Sequence, residues 1–253
     1  MPSLFIGHGS PMNAIEDTPY SRTWKALGAA LPRPRAILVV SAHWYTRGTA
    51  ATAMERPKTI HDFGNFPRAL HEMQYPAPGD PALAADVAAL LAPTPVAQDL
   101  RWGLDHGAWS VLIHLYPNAD VPVVQLSVDA DKSTREHYDL GARLAPLRER
   151  GVLVMATGNV VHNLQYMDPQ RSQPYDWAVR FDRSVKEALE ARDAEALIAY
   201  QSHPDSALAA PDADHFLPLL YIAGIRRNGD PLTHVIDGGL ELGSISMRAF
   251  EVG

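Results

Sequence analysis

Val152 to Asn163 (VLVMATGNVVHN) begins as an apolar run the length of a buried strand, turns at Gly158-Asn159 and delivers a histidine, His162. The same pattern occurs twice upstream. Leu4-Phe5-Ile6 runs into Gly7-His8-Gly9-Ser10-Pro11, and Ala36 to Val40 runs into Ser41-Ala42-His43-Trp44. Continuous apolar, β-branched runs mark strands covered on both faces, as in a parallel sheet. Between them the spacing turns helical, with Trp24, Leu27 and Leu31 on one face of Ser21 to Leu31. Asp80-Pro81 reads as an N-cap followed by proline at the first helical position, with Leu83, Val87, Leu90 and Leu91 as the buried stripe. Ala108 to Tyr116 reads as an apolar helix and Val121 to Val128 as a buried strand. Ser133 and Glu136 fit a capping box for a helix reaching about Arg150.

Pro174 to Ala191 follows as a helix with Phe181, Val185 and Leu189 inward. Phe216 to Ile225 is largely apolar, and Pro218 should start or kink it. Thr233 to Ile236 and Ser244 to Val252 are strand-like, whereas Thr46 to Pro78 is irregular and turn-rich. Within that stretch, His61-Asp62-Phe63-Gly64-Asn65-Phe66 suits a loop over a pocket. Strands alternating with helices predict an α/β fold with a mostly parallel central sheet flanked by helices. With no internal repeat, low-complexity tract or linker, residues 1–253 read as a single domain.

The totals narrow the function classes. Of 253 residues, 46% are hydrophobic and 20% charged, which supports a well-buried core. A net charge of −7 argues against nucleic acid as the partner, because phosphate binding needs clustered Lys and Arg. The absence of cysteine excludes disulfides, thiolate zinc sites and Fe–S clusters. No apolar run reaches the roughly 18–20 residues needed to span a bilayer. Met1-Pro2-Ser3 leads straight into a strand without a secretory leader pattern, so a cytoplasmic protein without membrane partners is expected.

Eleven histidines are present, and a lone histidine is more often structural than a ligand. On that ground His71, His114, His137, His203 and His234 are set aside, His137 as part of a solvated helix. His8, His43 and His162 differ, since all three follow strands that can lie side by side, and open parallel sheets bind ligands at the carboxyl ends of their strands. Neutral imidazoles suit zinc, iron, copper and nickel, and three protein ligands with open positions make a catalytic site. Two chemistries then compete. A zinc-bound water, its pKa lowered toward about 7, attacks an ester or amide. Alternatively, ferrous iron binds an electron-rich substrate and O2 together. The iron version often uses two histidines and one carboxylate, for which Asp212 and Asp214 are the candidates.

Five motifs in order bear on that choice: Leu4 to Met12, Ser41-Ala42-His43-Trp44, Ile60-His61-Asp62-Phe63-Gly64, Gly103-Leu104-Asp105-His106-Gly107 and Gly158 to Leu164. With Asp214-His215-Phe216-Leu217-Pro218, they resemble the LigB-type (class III) extradiol ring-cleavage dioxygenases, most of all the bacterial branch of the 4,5-DOPA dioxygenase extradiol type. The resemblance runs from about Leu4 to Met247. It implies a single α/β domain and a non-haem site using Fe2+ for catalysis, with Zn2+ also bound in some members. It implies His8, His43 and His215 as metal ligands. His162 is implied as acid/base or fourth ligand, and His106 as a hydrogen-bonding group beside the substrate. The partners implied are a small-molecule catechol and O2, and the product is a ring-opened semialdehyde. His215 stands where the ring-cleavage subunits of the family use glutamate, which makes the site more positive by one charge. Phe63, Phe66 and Trp44 are the aromatic candidates for the ring pocket. A zinc hydrolase on the same histidines and a non-enzymatic binding protein are the alternative readings.

Overall fold

The apolar runs become the centre of one twisted sheet. A computed structural model describes all residues, 1–253. Its main sheet has eight strands in the order β4-β3-β5-β2-β6-β1-β10-β7. These are β1 Ser3–Gly7, β2 Ala36–Thr46, β3 Thr49–Thr52, β4 Val96–Asp99, β5 Val123–Asp129, β6 Val152–Gly158, β7 Leu232–Ile236 and β10 Ala249–Val252. The remaining strands, β8 Leu240–Glu241 and β9 Ile245–Ser246, form a small separate hairpin. β5, β2, β6 and β1 run parallel at the centre, β3 is antiparallel to β5, and β10 is antiparallel to both β1 and β7.

Side-chain alternation divides two apolar layers between the faces of the sheet. Leu4, Ile6, Ile37 and Val39 pack on one side with the helices Pro19–Ala30 and His106–Leu115. Phe5, Leu38 and Val40 pack on the other with Pro81–Leu91, Thr134–Leu144, Asp176–Ala191 and Leu217–Ile225. Strands buried on both faces have no polar side to present, which is why they read as unbroken apolar runs.

Local signals set most helix ends. Asp80 accepts the Leu83 N–H at 2.9 Å, and Ser133 with Glu136 forms the reciprocal capping box. The helix from Ser133 stops at Leu144 rather than near Arg150, because Pro146 begins a separate turn, Pro146–Glu149. Ser244 to Val252 is likewise two pieces, β9 and β10, not one strand. β3 lies inside the stretch expected to be irregular, and neither it nor β4 was expected. Both are short, near the sheet edge and built from Thr, Ala, Val, Gln and Asp. His137 is fully buried, against the expectation of a solvated helix position, with Nδ1 3.1 Å from the Tyr221 hydroxyl. No helix is long and apolar enough to cross a membrane.

Candidate metal centre

Strand register brings the histidines together. Gly7 pairs with Gly158 across β1 and β6, and Ser41 with Thr157 across β2 and β6. The residues just past these pairs therefore emerge side by side at the carboxyl edge of the sheet. His8 follows Gly7, and His43 lies two residues beyond Ser41. His215 enters from the segment before the Leu217–Ile225 helix, where its carbonyl accepts the Asn159 N–H at 2.9 Å. Gly158 permits this approach: a Cβ there would stand 2.2 Å from the His215 carbonyl oxygen.

His8, His43 and His215 each offer one ring nitrogen, and the three nitrogens lie within 4.8 Å of one another. Nε2 of His8 and Nε2 of His43 are 3.0 Å apart. His8 and His215 are buried, and Nε2 of His215 has no partner in the protein. An acceptor left unpaired in a protein interior costs about 1–3 kcal/mol, so a converging orphan nitrogen fits a metal better than an empty core. Protonation does not compete. Burial first, then the neighbouring His215, His106 and His162, holds His8 well below the usual imidazole range. Burial, then His106 and His8, does the same for His43. Neutral imidazoles are the form that binds metal.

The carboxylates stand behind the imidazoles. Asp212 is exposed, and Asp214 backs His215, with Oδ1 3.1 Å from Nδ1 and 2.8 Å from the backbone nitrogen. Neither belongs to the converging set of three histidines; the place where two imidazoles and a carboxylate meet is a second cluster, His43, Asp62 and His106, which shares His43 with the first. Asp62 faces Nδ1 of both His43 and His106, at 3.4 Å and 3.0 Å. Burial raises the Asp62 carboxyl, but the hydrogen bond and charge of His106 together hold it below the usual carboxylate range.

His162 and His106 flank the set, one against His215 and the other against His43. The His162 ring stacks on His215, outside the converging nitrogens, and burial, then His215, lowers its pKa to about 3. The His106 ring lies 3.9 Å from that of His43. Asp105, the N-cap of the His106–Leu115 helix, accepts the Ala108 N–H at 3.1 Å and the Ser41 hydroxyl at 2.7 Å, and bonds Gln125. Burial, then Asp62, pushes its pKa up to about 6. Asp105 thus ties β2, β5 and the His106 helix together beneath the site.

Phe63 packs against His106, with ring centroids 5.6 Å apart, and against Phe66 at 5.4 Å. Trp44 does not join them. It stacks on Trp102 at 5.5 Å and lines a cleft of about 430 Å³ with Arg47 and Arg101. Nothing in the sequence alone marks Asp62 or Asp105 for a role at the site. The one local signal was the Asp-His-Gly order at Asp105, which suits an N-cap.

Comparison with known proteins gives a consistent result. Residues 3–236 match the family model described as the catalytic LigB subunit of aromatic ring-opening dioxygenase. A protein of Escherichia coli named 4,5-DOPA dioxygenase extradiol is 50% identical, over 100% of this chain and 95% of its own length. One of the same name from Beta vulgaris is 37% identical, covering 94% and 92%. A crystal structure of an uncharacterized Escherichia coli K12 protein superposes with a TM-score of 0.88 at 46% identity, covering 100% of both chains.

Proposed function

The chain belongs to the LigB family of aromatic ring-opening dioxygenases, and on that premise we propose that it opens DOPA-like catechols beside their hydroxyl-bearing carbons, at a metal held by His8, His43 and His215. The enzyme class, an extradiol dioxygenase using O2 on a small molecule, follows from the family and its named members. The observation that carries the site assignment is the convergence of three imidazole nitrogens within 4.8 Å at the carboxyl edge of the sheet. In this reading the working metal is Fe2+, and Zn2+ fills the same imidazoles without redox chemistry.

His8, His43 and His215 would hold the Fe2+, which when bound would supply the redox chemistry and a common meeting point for catechol and O2, removing the entropic cost of their encounter. The remaining work falls to the chain. His162 is neutral before substrate arrives, its basicity suppressed by burial and by His215. A catecholate beside it opposes that suppression, so the ring takes a hydroxyl proton and later returns it. Its place outside the converging nitrogens supports this acid/base role over that of a fourth ligand. His106, close against His43, is placed to hydrogen-bond a catechol oxygen. Phe63 and Phe66 supply an apolar wall for the ring.

The test is oxygen consumption by apo-protein reloaded anaerobically with Fe2+ or Zn2+, then mixed with DOPA or a simple catechol. Uptake with Fe2+ alone, with formation of a yellow ring-opened product, is expected. No uptake with either metal, despite a tightly bound ion, sinks the reading.

A further inference from the structure

Asp62 is the only acid in the loop from Ile60 to Phe66, and it meets two imidazoles of different duty. Its Oδ2 lies 3.4 Å from Nδ1 of His43. Its Oδ1 lies 3.0 Å from Nδ1 of His106 and accepts the His106 backbone N–H at 2.9 Å. The backbone bond is the better aligned, since the ring contact is close but bent away from the N–H direction. The residue as a whole lies at the surface, but its side chain turns inward and is 19% exposed.

We propose that Asp62 is a positioning residue for the metal centre, a single carboxylate that fixes ring orientation and proton placement in both His43 and His106. The proposal rests on the reading above of His43 as a ligand and His106 as a substrate-facing group. His43 turns Nε2 toward His8 and Nδ1 toward Asp62. An imidazole that ligates through Nε2 carries its proton on Nδ1, and a carboxylate facing Nδ1 holds that tautomer and makes Nε2 a stronger donor to metal. At His106 the influence is the nearby charge rather than an aligned hydrogen bond: a carboxylate 3.0 Å from Nδ1 favours the proton on that nitrogen and leaves Nε2 as an acceptor, the form needed to receive a catechol hydroxyl. Asp62 thereby gives the ligand and the substrate-side imidazole the same polarity.

The loop is built to hold the carboxylate in place. Before it, the Ile60 N–H donates to the Leu104 carbonyl and the Ile60 carbonyl accepts from Trp109 Nε1, both at 2.8 Å. After it, Phe63 packs on His106 and on His71, whose Nε2 lies 3.2 Å from the Gly64 carbonyl oxygen.

The experiment titrates apo-protein with Co2+, reading both affinity and the visible ligand-field spectrum, for wild type, Asp62→Asn and Asp62→Ala. Asparagine can still accept the His106 N–H, so a loop anchor alone predicts that Asp62→Asn behaves as wild type and only Asp62→Ala fails. Positioning predicts that Asp62→Asn, with an unchanged apo-protein melting temperature, binds Co2+ about 10–100-fold more weakly with a shifted spectrum. Anaerobic catechol binding to the Co2+ form should weaken in the same variant. Wild-type affinity and spectrum in Asp62→Asn overturn the proposal. So does a second equivalent of Co2+ in wild type that Asp62→Asn abolishes, because Asp62, His43 and His106 would then be ligands of another ion. Failure of wild type to bind Co2+ at all overturns the metal-centre reading itself.

Discussion

The ring of His162 lies flat on that of His215, with centroids 3.5 Å apart and planes within 2° of parallel. A face-to-face stack fixes the position of His162 while leaving its edge nitrogens free. The clamp behind it is backbone. The His162 N–H donates to the Ala209 carbonyl at 2.8 Å, and the Asn163 and Ser246 N–H groups bond across to Ser244 and Val161. His162 is thus held against a proposed ligand without being needed to close the converging set. His162→Ala is expected to retain metal while oxygen uptake with a catechol falls about 10²–10⁴-fold, the usual weight of a general acid–base group. His8→Ala should lose both. Metal content by atomic absorption, beside oxygen uptake, separates the two outcomes.

What the sequence made legible follows from which contacts are local. Ile37 to Val40 and Val152 to Ala156 announce buried parallel strands because no face of them meets water. Their ends, with that of Leu4-Phe5-Ile6, place His43, His162 and His8 near one edge before any tertiary contact is known. β3 and β4 escape because Ala and Thr carry no strong period, and a strand at an edge needs only partial burial. His137 was misplaced for a related reason. Its helix looks amphipathic, but the partner that buries it is Tyr221, on the uniformly apolar helix 84 residues away. Asp62 gained no role because a carboxylate beside an aromatic loop has meaning only once His106, 44 residues on, folds against it.

Gly107 should govern the placement of His43. A Cβ at this position would sit 2.8 Å from His43 Cδ2 and 2.9 Å from Ser41 Oγ. Ser41 is held by its 2.7 Å bond to Asp105, so the imidazole is the part that yields. Gly107→Ala is expected to cost about 1–3 kcal/mol of stability, as overpacking does, and to lower activity up to about 100-fold by misplacing one proposed ligand. Thermal melts with Co2+ titration measure the two effects. Unchanged Co2+ affinity would exclude His43 as the yielding group.

A buried ion pair sets the stability of the carboxyl-terminal strands. Arg248 is 3% exposed and binds Asp182 Oδ1 at 3.1 Å and Oδ2 at 2.5 Å, with Asp237 Oδ1 at 2.8 Å. Arg248→Ala leaves the buried Asp182 with Ser246 as its remaining polar partner, at 2.6 Å. The expected loss is about 3–5 kcal/mol, because an uncompensated buried charge remains. Replacing both partners with apolar residues, Arg248→Met with Asp182→Leu, should cost much less. Urea unfolding of the single and double variants decides between them.

Acid stability should carry the mark of His137. Burial, the largest influence, lowers its pKa from the ordinary 6.5 to about 4, although Asp129 and Glu136 pull the other way. Above pH 6.5 neither the folded nor the unfolded chain holds this proton, so the residue makes no pH-dependent contribution. As pH falls below 6.5 the unfolded chain takes up a proton that the folded chain refuses, and stability drops until the folded pKa is passed near 4. The loss across that window is about 3 kcal/mol. His137→Leu removes the titration together with the Tyr221 contact, so it should be less stable at pH 7 but show a flatter decline toward pH 4. Urea unfolding free energies of both proteins between pH 7 and pH 4 test this, since carboxylate titrations common to both cancel in the difference. Parallel curves would mean that His137 accepts its proton in the folded state, through opening of its contact with the Leu217–Ile225 helix.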